Sequence, residues 1–117
     1  MEIELSCAPA CGAFAPVVAE HVYRVVREAV VNAIRHGKAR HIWIDVIHEE
    51  RQVVVSVTND GLPLPPDVEH VPGVGMRQMR MRAGQLGGAF SLYTDPQGKT
   101  VAELSVPHEL RSTSNEL

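Results

Sequence analysis

Residues 27–36 read Arg-Glu-Ala-Val-Val-Asn-Ala-Ile-Arg-His, and the organisation of the chain follows from them. Glu28, Asn32 and His36 are spaced by four. Four residues carry an α-helix about 40° past one full revolution, so all three lie on one polar stripe. Their neighbours Ala29, Val30 and Ala33 are apolar, and Val18, Val22 and Val25 extend the apolar series upstream at intervals of three and four. Pro16 suits a first helical position and Gly37 a C-terminal stop, which predicts a helix of about 20 residues. A polar stripe is ordinarily a solvated face. Asparagine, however, is a poor mid-helix residue, and one between apolar neighbours asks for an explanation. An amide oxygen there suits Mg²⁺, while a carboxylate one turn earlier can orient a metal-bound water. Lying on that stripe, Asn32 is expected to carry no core contact.

Outward from the helix, the pattern changes period. Residues 2–6 alternate, Ile3 and Leu5 against Glu2 and Glu4, as a short half-buried strand does. His41 to His48 and Gln52 to Thr58 are β-branched runs split by Glu49-Glu50-Arg51, an antiparallel hairpin. Residues 59–74 hold Gly61, Pro63, Pro65, Pro66, Pro72 and Gly73 without periodicity, a long loop of the kind that is usually functional or disordered. A second helix runs from about Gly75 to Leu86, stopped by Gly87-Gly88. Strands near 89–94 and 100–106 flank the turn Asp95-Pro96-Gln97-Gly98, and the tail after Pro107 is polar. Strand, helix, hairpin, loop, helix, hairpin, without an internal repeat, predicts a two-layer α+β sandwich over residues 1–107 with a tail at 108–117.

Composition limits what such a domain can do. The 117 residues carry 11 Lys+Arg against 14 Asp+Glu, a net charge of −3, with 44% hydrophobic and 4% aromatic residues. Seventeen valines supply an aliphatic core, which rules out disorder. The weak acidity offers no general field for nucleic acid or an anionic membrane, so any phosphate must be held by a local site. The acidic start Met1-Glu2-Ile3-Glu4 is unlike a secretory signal, and no apolar run approaches a membrane span, so a cytoplasmic location is expected, as for a cytosolic domain of a larger membrane-bound protein. Cys7 and Cys11 lack a second ligand pair and are expected to be ordinary loop thiols.

Two further motifs stand in the loop. Asn59-Asp60-Gly61 is a turn sequence in which glycine lets backbone approach a planar ligand. Gly73-Val74-Gly75 opens the second helix, where free N–H groups and the dipole favour phosphate oxygens. Arg77, Arg80 and Arg82 follow, as phosphate partners or as a wet face. Each motif alone is weak evidence.

Their order and spacing carry a resemblance. Residues 27–36 resemble the asparagine box of GHKL ATPases, in the form found in histidine kinases of the nitrate-sensor and desaturase-sensor type. Val-Thr-Asn-Asp-Gly (57–61) is similar to their first glycine box, and Gly-Val-Gly-Met-Arg-Gln-Met-Arg-Met-Arg-Ala-Gly-Gln-Leu-Gly-Gly (73–88) to their second. The resemblance spans residues 2–107. It implies a Bergerat-type α+β sandwich, a mixed and mostly antiparallel sheet with helices on one face and a mobile lid over ATP. It further implies that Glu28 activates the nucleophile or a water, that Asn32 ligates Mg²⁺ and that His36 makes a phosphate-side contact. Asn59 falls where the family has an aspartate facing the adenine amino group, Gly61 lets adenine approach, and Gly73, Gly75 and the Met76 amide receive phosphates. Asn59 keeps an acceptor oxygen without the charge, Pro63 stands where a second lid glycine is usual, and Gln78 replaces the last glycine of the second box, changes that point to weakened nucleotide affinity.

The function implied is that of the ATP-binding catalytic domain of a two-component sensor histidine kinase. Its γ-phosphoryl acceptor would be a histidine on a separate dimerization domain, and a response regulator would follow indirectly. Two alternatives stay open: a degenerate nucleotide- or partner-binding module, and a serine kinase of the anti-sigma-factor type.

Overall fold

The computed structural model describes residues 1–7, 14–68 and 73–107; Cys11 and the tail 108–117 lie outside them. The elements are β1 (Glu2–Cys7), α1 (Pro16–Arg35), β2 (His41–His48), β3 (Gln52–Asn59), α2 (Met76–Gln85), β4 (Ala89–Thr94) and β5 (Thr100–Pro107). The strands form one sheet in the order β1-β2-β3-β5-β4, with β1 parallel to β2 and every other pairing antiparallel. This is the expected mixed, mostly antiparallel sheet. No helix among the described residues is long and apolar enough to cross a membrane.

Strand alternation sends Val53, Val55 and Val57 of β3 and Ala102, Leu104 and Val106 of β5 to one face, where they meet Val18, Val22, Val25, Ala29 and Ala33 of α1. Met76, Met79 and Ala83 of α2 complete that core with Leu86. The opposite face mixes Val54 and Val101 with Ser56, Thr58, Glu103 and a Tyr93 hydroxyl donating to Glu103 at 2.7 Å. His41 stacks on Trp43 there at 4.1 Å and faces Glu4 at 2.7 Å and Glu2 at 3.4 Å, fastening β1 to β2.

Three rows of inward residues change character at one end of the sandwich. The β3 row ends in Asn59, the β5 row in Thr100, and the α1 row passes from valines to Ala29 and Ala33. Asn59 belongs to the strand and not to the turn after it, because it is paired on both sides, with Ile42 of β2 and Thr100 of β5. Small and polar residues replace bulky ones together, so the core opens into a cavity at that end.

Candidate functional site

The cavity, of about 210 Å³, is walled by Ala29, Ala33, Val57, Met79, Leu92 and Ala102. Leu62, Pro63, Leu64, Pro65 and Val68 of the loop after β3 cover it, so the segment expected to be a lid lies over the opening. Residues 69–72 of that segment lie outside the described residues. Polar groups reach the cavity from Asn32, His36, Asn59 and Thr100. An apolar slot with a few placed polar groups suits a planar heterocycle. Asn59 and Thr100 are each only 6% exposed, and as register partners they point into the cavity side by side. The Thr100 hydroxyl is buried with no hydrogen-bond partner among the described residues.

A second, polar cleft of about 560 Å³ adjoins the first along α1. Tyr23, Arg24, Arg27 and Glu28 line it from α1, Gly73 and Gly75 from the loop, and Gln78 and Arg82 from α2. Arg82 also meets the His21 ring at 3.2 Å, whereas Arg80 donates to the Phe90 carbonyl at 3.0 Å and holds β4. Of the three arginines, Arg82 therefore faces the cleft. Gly75 stands at φ +77°, and a Cβ there would fall 2.8 Å from a Glu28 carboxylate oxygen, so only glycine lets α2 begin against that side chain. Among the described residues no side chain caps the α2 N-terminus. The first-turn amides, Met76 included, therefore have no side-chain acceptor among the described residues.

The stripe of α1 joins the two spaces. Glu28 lies in the polar cleft, Asn32 in the apolar cavity, and the His36 ring beside Gly73. Asn32 is not the contact-free residue expected from its place on a polar stripe: its amide nitrogen donates to the Val74 carbonyl and pins the glycine segment to α1. Its oxygen is buried without a partner among the described residues. A buried amide oxygen left open, one helical turn from the Glu28 carboxylate, is a donor that a hard divalent cation accepts.

The Asn59-Asp60-Gly61 segment is held at every residue. Gly61 N–H donates to Asn59 Oδ1 at 2.8 Å, and Leu62 N–H to the Gly37 carbonyl at 2.6 Å. A Cβ on Gly61 would lie 2.2 Å from that carbonyl, which explains the glycine. Asp60 accepts from the amides of His41 and Arg40, each at 3.0 Å. Those two bonds, the one from His41 first, hold its carboxyl below the usual aspartate range. Asp60 thus serves the backbone, a role that the turn composition did not reveal. Thr100 was also missed, although it is the inward position next to Ala102 on a strand that the alternation does reveal.

An α+β sandwich with an apolar slot, a glycine segment and an amide-carboxylate stripe defines a nucleotide-binding domain. Residues 17–110 match the family of histidine kinase-, DNA gyrase B- and HSP90-like ATPases, and the chain belongs to that family. It is 30% identical over 111 residues to the sensor protein NarQ homolog of Haemophilus influenzae, covering 94% of this chain and 20% of that protein. It is 26% identical over 90 residues to the sensor protein VraS of Staphylococcus saprophyticus, covering 77% of this chain and 26% of that one. The chain thus spans about a quarter or less of these relatives. The fold matches the blue-light activated histidine kinase of Erythrobacter litoralis, with TM-score 0.80, 18% identity, and 96% of this chain and 36% of that one covered. It also matches the ATP binding domain of PrrB from Mycobacterium tuberculosis, with TM-score 0.67, 20% identity, and coverage of 90% and 79%.

Proposed function

We propose that this domain is the catalytic part of a two-component sensor histidine kinase, transferring the γ-phosphoryl of Mg²⁺-bound ATP to a histidine on a separate dimerization and phosphoacceptor domain. The observation that carries the proposal is the α1 stripe, which sets a carboxylate, an open amide oxygen and a ring nitrogen in sequence along the junction of an apolar slot and a polar cleft. The base enters the slot between Ala33 and Ala102 and meets Asn59 and Thr100; Gly61, expected to let adenine approach, is packed on the Gly37 carbonyl and does not line the slot. The phosphates lie toward Gly73, Gly75 and the Met76 amide, where the free N–H groups and the dipole of α2 favour anions.

Asn32 would hold Mg²⁺ through Oδ1, and the ion would supply charge neutralisation at the phosphates. Glu28, beside the α2 N-terminus, is placed to accept the proton of an incoming nucleophile or a water. His36 adds a donor beside Gly73. Phosphoryl transfer asks mainly for positioning and charge stabilisation, and these side chains provide both. The response regulator, as the next acceptor, enters only through the phosphorylated histidine.

Calorimetric titration with ATP, with and without Mg²⁺, tests the reading directly. Binding that strengthens with Mg²⁺ is expected. Absence of any nucleotide binding would favour the degenerate module, a second reading supported by Asn59, Pro63 and Gln78 at positions where the family resemblance leads one to expect other residues.

A further inference from the structure

On the sheet face turned away from the helices, Glu2, Glu4 and His41 each bring one donor atom to within 4.8 Å of the other two, the one such grouping of histidine, cysteine and acidic side chains among the described residues. Strand geometry builds it. Glu2 and Glu4 are two apart on β1 and so share a face, and the parallel register sets His41 of β2 beside Glu2. The imidazole is held independently of the carboxylates: its ring is stacked on Trp43, centroids 4.1 Å apart and planes 11° from parallel, and its backbone N–H donates to Asp60 Oδ1 at 3.0 Å. Both ring nitrogens face acceptors, Nε2 a Glu4 oxygen at 2.7 Å and Nδ1 a Glu2 oxygen at 3.4 Å. A neutral imidazole has a single N–H to give, so its remaining lone pair is set against a carboxylate oxygen, acceptor against acceptor. Only a cation relieves that contact, either a second proton on the ring or a metal ion that takes the lone pair and the carboxylates together.

We propose that Glu2, Glu4 and His41 form a binding site for a divalent transition-metal ion of the Zn²⁺ type, separate from the Mg²⁺ position at Asn32. One imidazole nitrogen with two carboxylate oxygens favours such an ion over Mg²⁺ and Ca²⁺, which take oxygen donors. Three protein ligands with water in the fourth position is a set that Zn²⁺ accepts. Donors about 2.0 to 2.2 Å from an ion stand closer together than 4.8 Å, so the site must contract as it fills. The Glu2 and Glu4 side chains, 76% and 63% exposed, have room to close on a ring that is already fixed. The consequence is mechanical. β1 is an edge strand paired with β2 alone, and its inward Ile3 and Leu5 stay 51% and 69% exposed, so burial does little to hold it. An ion shared between Glu2, Glu4 and His41 clamps β1 to β2. The site takes no part in the phosphoryl transfer proposed above and does not depend on it.

The test uses the 117-residue chain without nucleotide, carrying Cys7→Ser and Cys11→Ser so that thiols do not compete for the ion. Calorimetric titration with ZnCl₂ should show one equivalent bound, at least about tenfold more tightly than Mg²⁺ from MgCl₂. Glu4→Gln and His41→Ala should each weaken Zn²⁺ by more than the about tenfold that loss of even an outer-shell partner costs. In the unsubstituted site, Zn²⁺ should shift the His41 ring signals in a histidine-ring NMR spectrum. It should also slow amide exchange in β1 by about a hundredfold at a hundred times the dissociation constant, since opening of the strand releases the ion. Failure to bind Zn²⁺, or binding that neither substitution weakens, overturns the site. So do His41 ring signals that Zn²⁺ leaves in place, a measurement that decides alone should a variant not fold. Exchange in β1 that Zn²⁺ does not slow overturns the clamp.

Discussion

Asn32 shows how one side chain serves structure and chemistry through different atoms. Its nitrogen fixes the glycine segment through Val74, and its oxygen is left for a cation. Asn32→Ala should therefore remove the Mg²⁺-dependent part of nucleotide affinity and also cost about 1 kcal/mol of stability, one hydrogen bond's worth. Calorimetry with and without Mg²⁺, paired with melting in the absence of nucleotide, separates the two effects; a Mg²⁺ increment that survives in the variant would remove the metal from Asn32. Asp60 gives a pH signature. Its folded pKa is depressed by bonds from the His41 and Arg40 amides, so its stabilising contribution is complete above the unfolded aspartate value near 4 and is lost as pH falls through the lower folded value. Asp60→Ala should thus melt below the parent by a constant interval above about pH 5, and the two curves should converge in stronger acid. An interval that widens in acid would contradict this sign.

At the scale of elements, the cavity exists because the inward residues of three of them are small at the same end. Ala29 and Ala33 on α1 and Ala102 on β5 leave the space that valines fill elsewhere. Ala102→Leu should occupy the slot at little cost, within about 1.5 kcal/mol, because an existing void takes the added carbons. It should also abolish stabilisation by nucleotide, which for the parent is about 2.7 kcal/mol at a hundred times the dissociation constant. A variant that still gains thermal stability from nucleotide places the base elsewhere. Much of this layout was legible in the sequence. Helical periodicity gave α1 and a β-branched run bounded by a polar turn gave β2, each with its ends, and the polar stripe announced itself by spacing alone. What was not legible is how elements meet: the strand order, Asn59 paired inside β3, and Thr100 beside it come from cross-strand register, which local pattern does not encode. The orientation of the Asn59 amide depends likewise on Gly61 and Gly37, brought together only by folding.

At the scale of the whole molecule, the proposed reaction needs a phosphoacceptor, and none of the histidines among the described residues is placed to be one. The chain has six histidines. Of the four among the described residues, His41 is held between Glu2 and Glu4, and His48 lies at the far end of β2, pairing with Val53, away from the Asn59 end where the slot opens. His21 leans on Arg82, and His36, beside Gly73, closes α1 with its backbone N–H bound to the Asn32 carbonyl. Attack in line with the departing diphosphate requires a histidine arriving from outside on its own element, free to approach the γ-phosphorus opposite the leaving oxygen. A histidine fixed along the phosphate track helps to hold the ground state and has no such path. The 117-residue chain incubated with γ-labelled nucleotide and Mg²⁺ should accordingly bind it without acquiring stoichiometric acid-labile label. Addition of a dimeric helical hairpin bearing a phosphoacceptor histidine, taken from a sensor kinase of the same class, should produce label on the hairpin alone. Stable histidine phosphorylation of the isolated chain, mapped by mass spectrometry to His36 or His21, would show that the sandwich carries its own acceptor and would overturn the division of labour proposed for it.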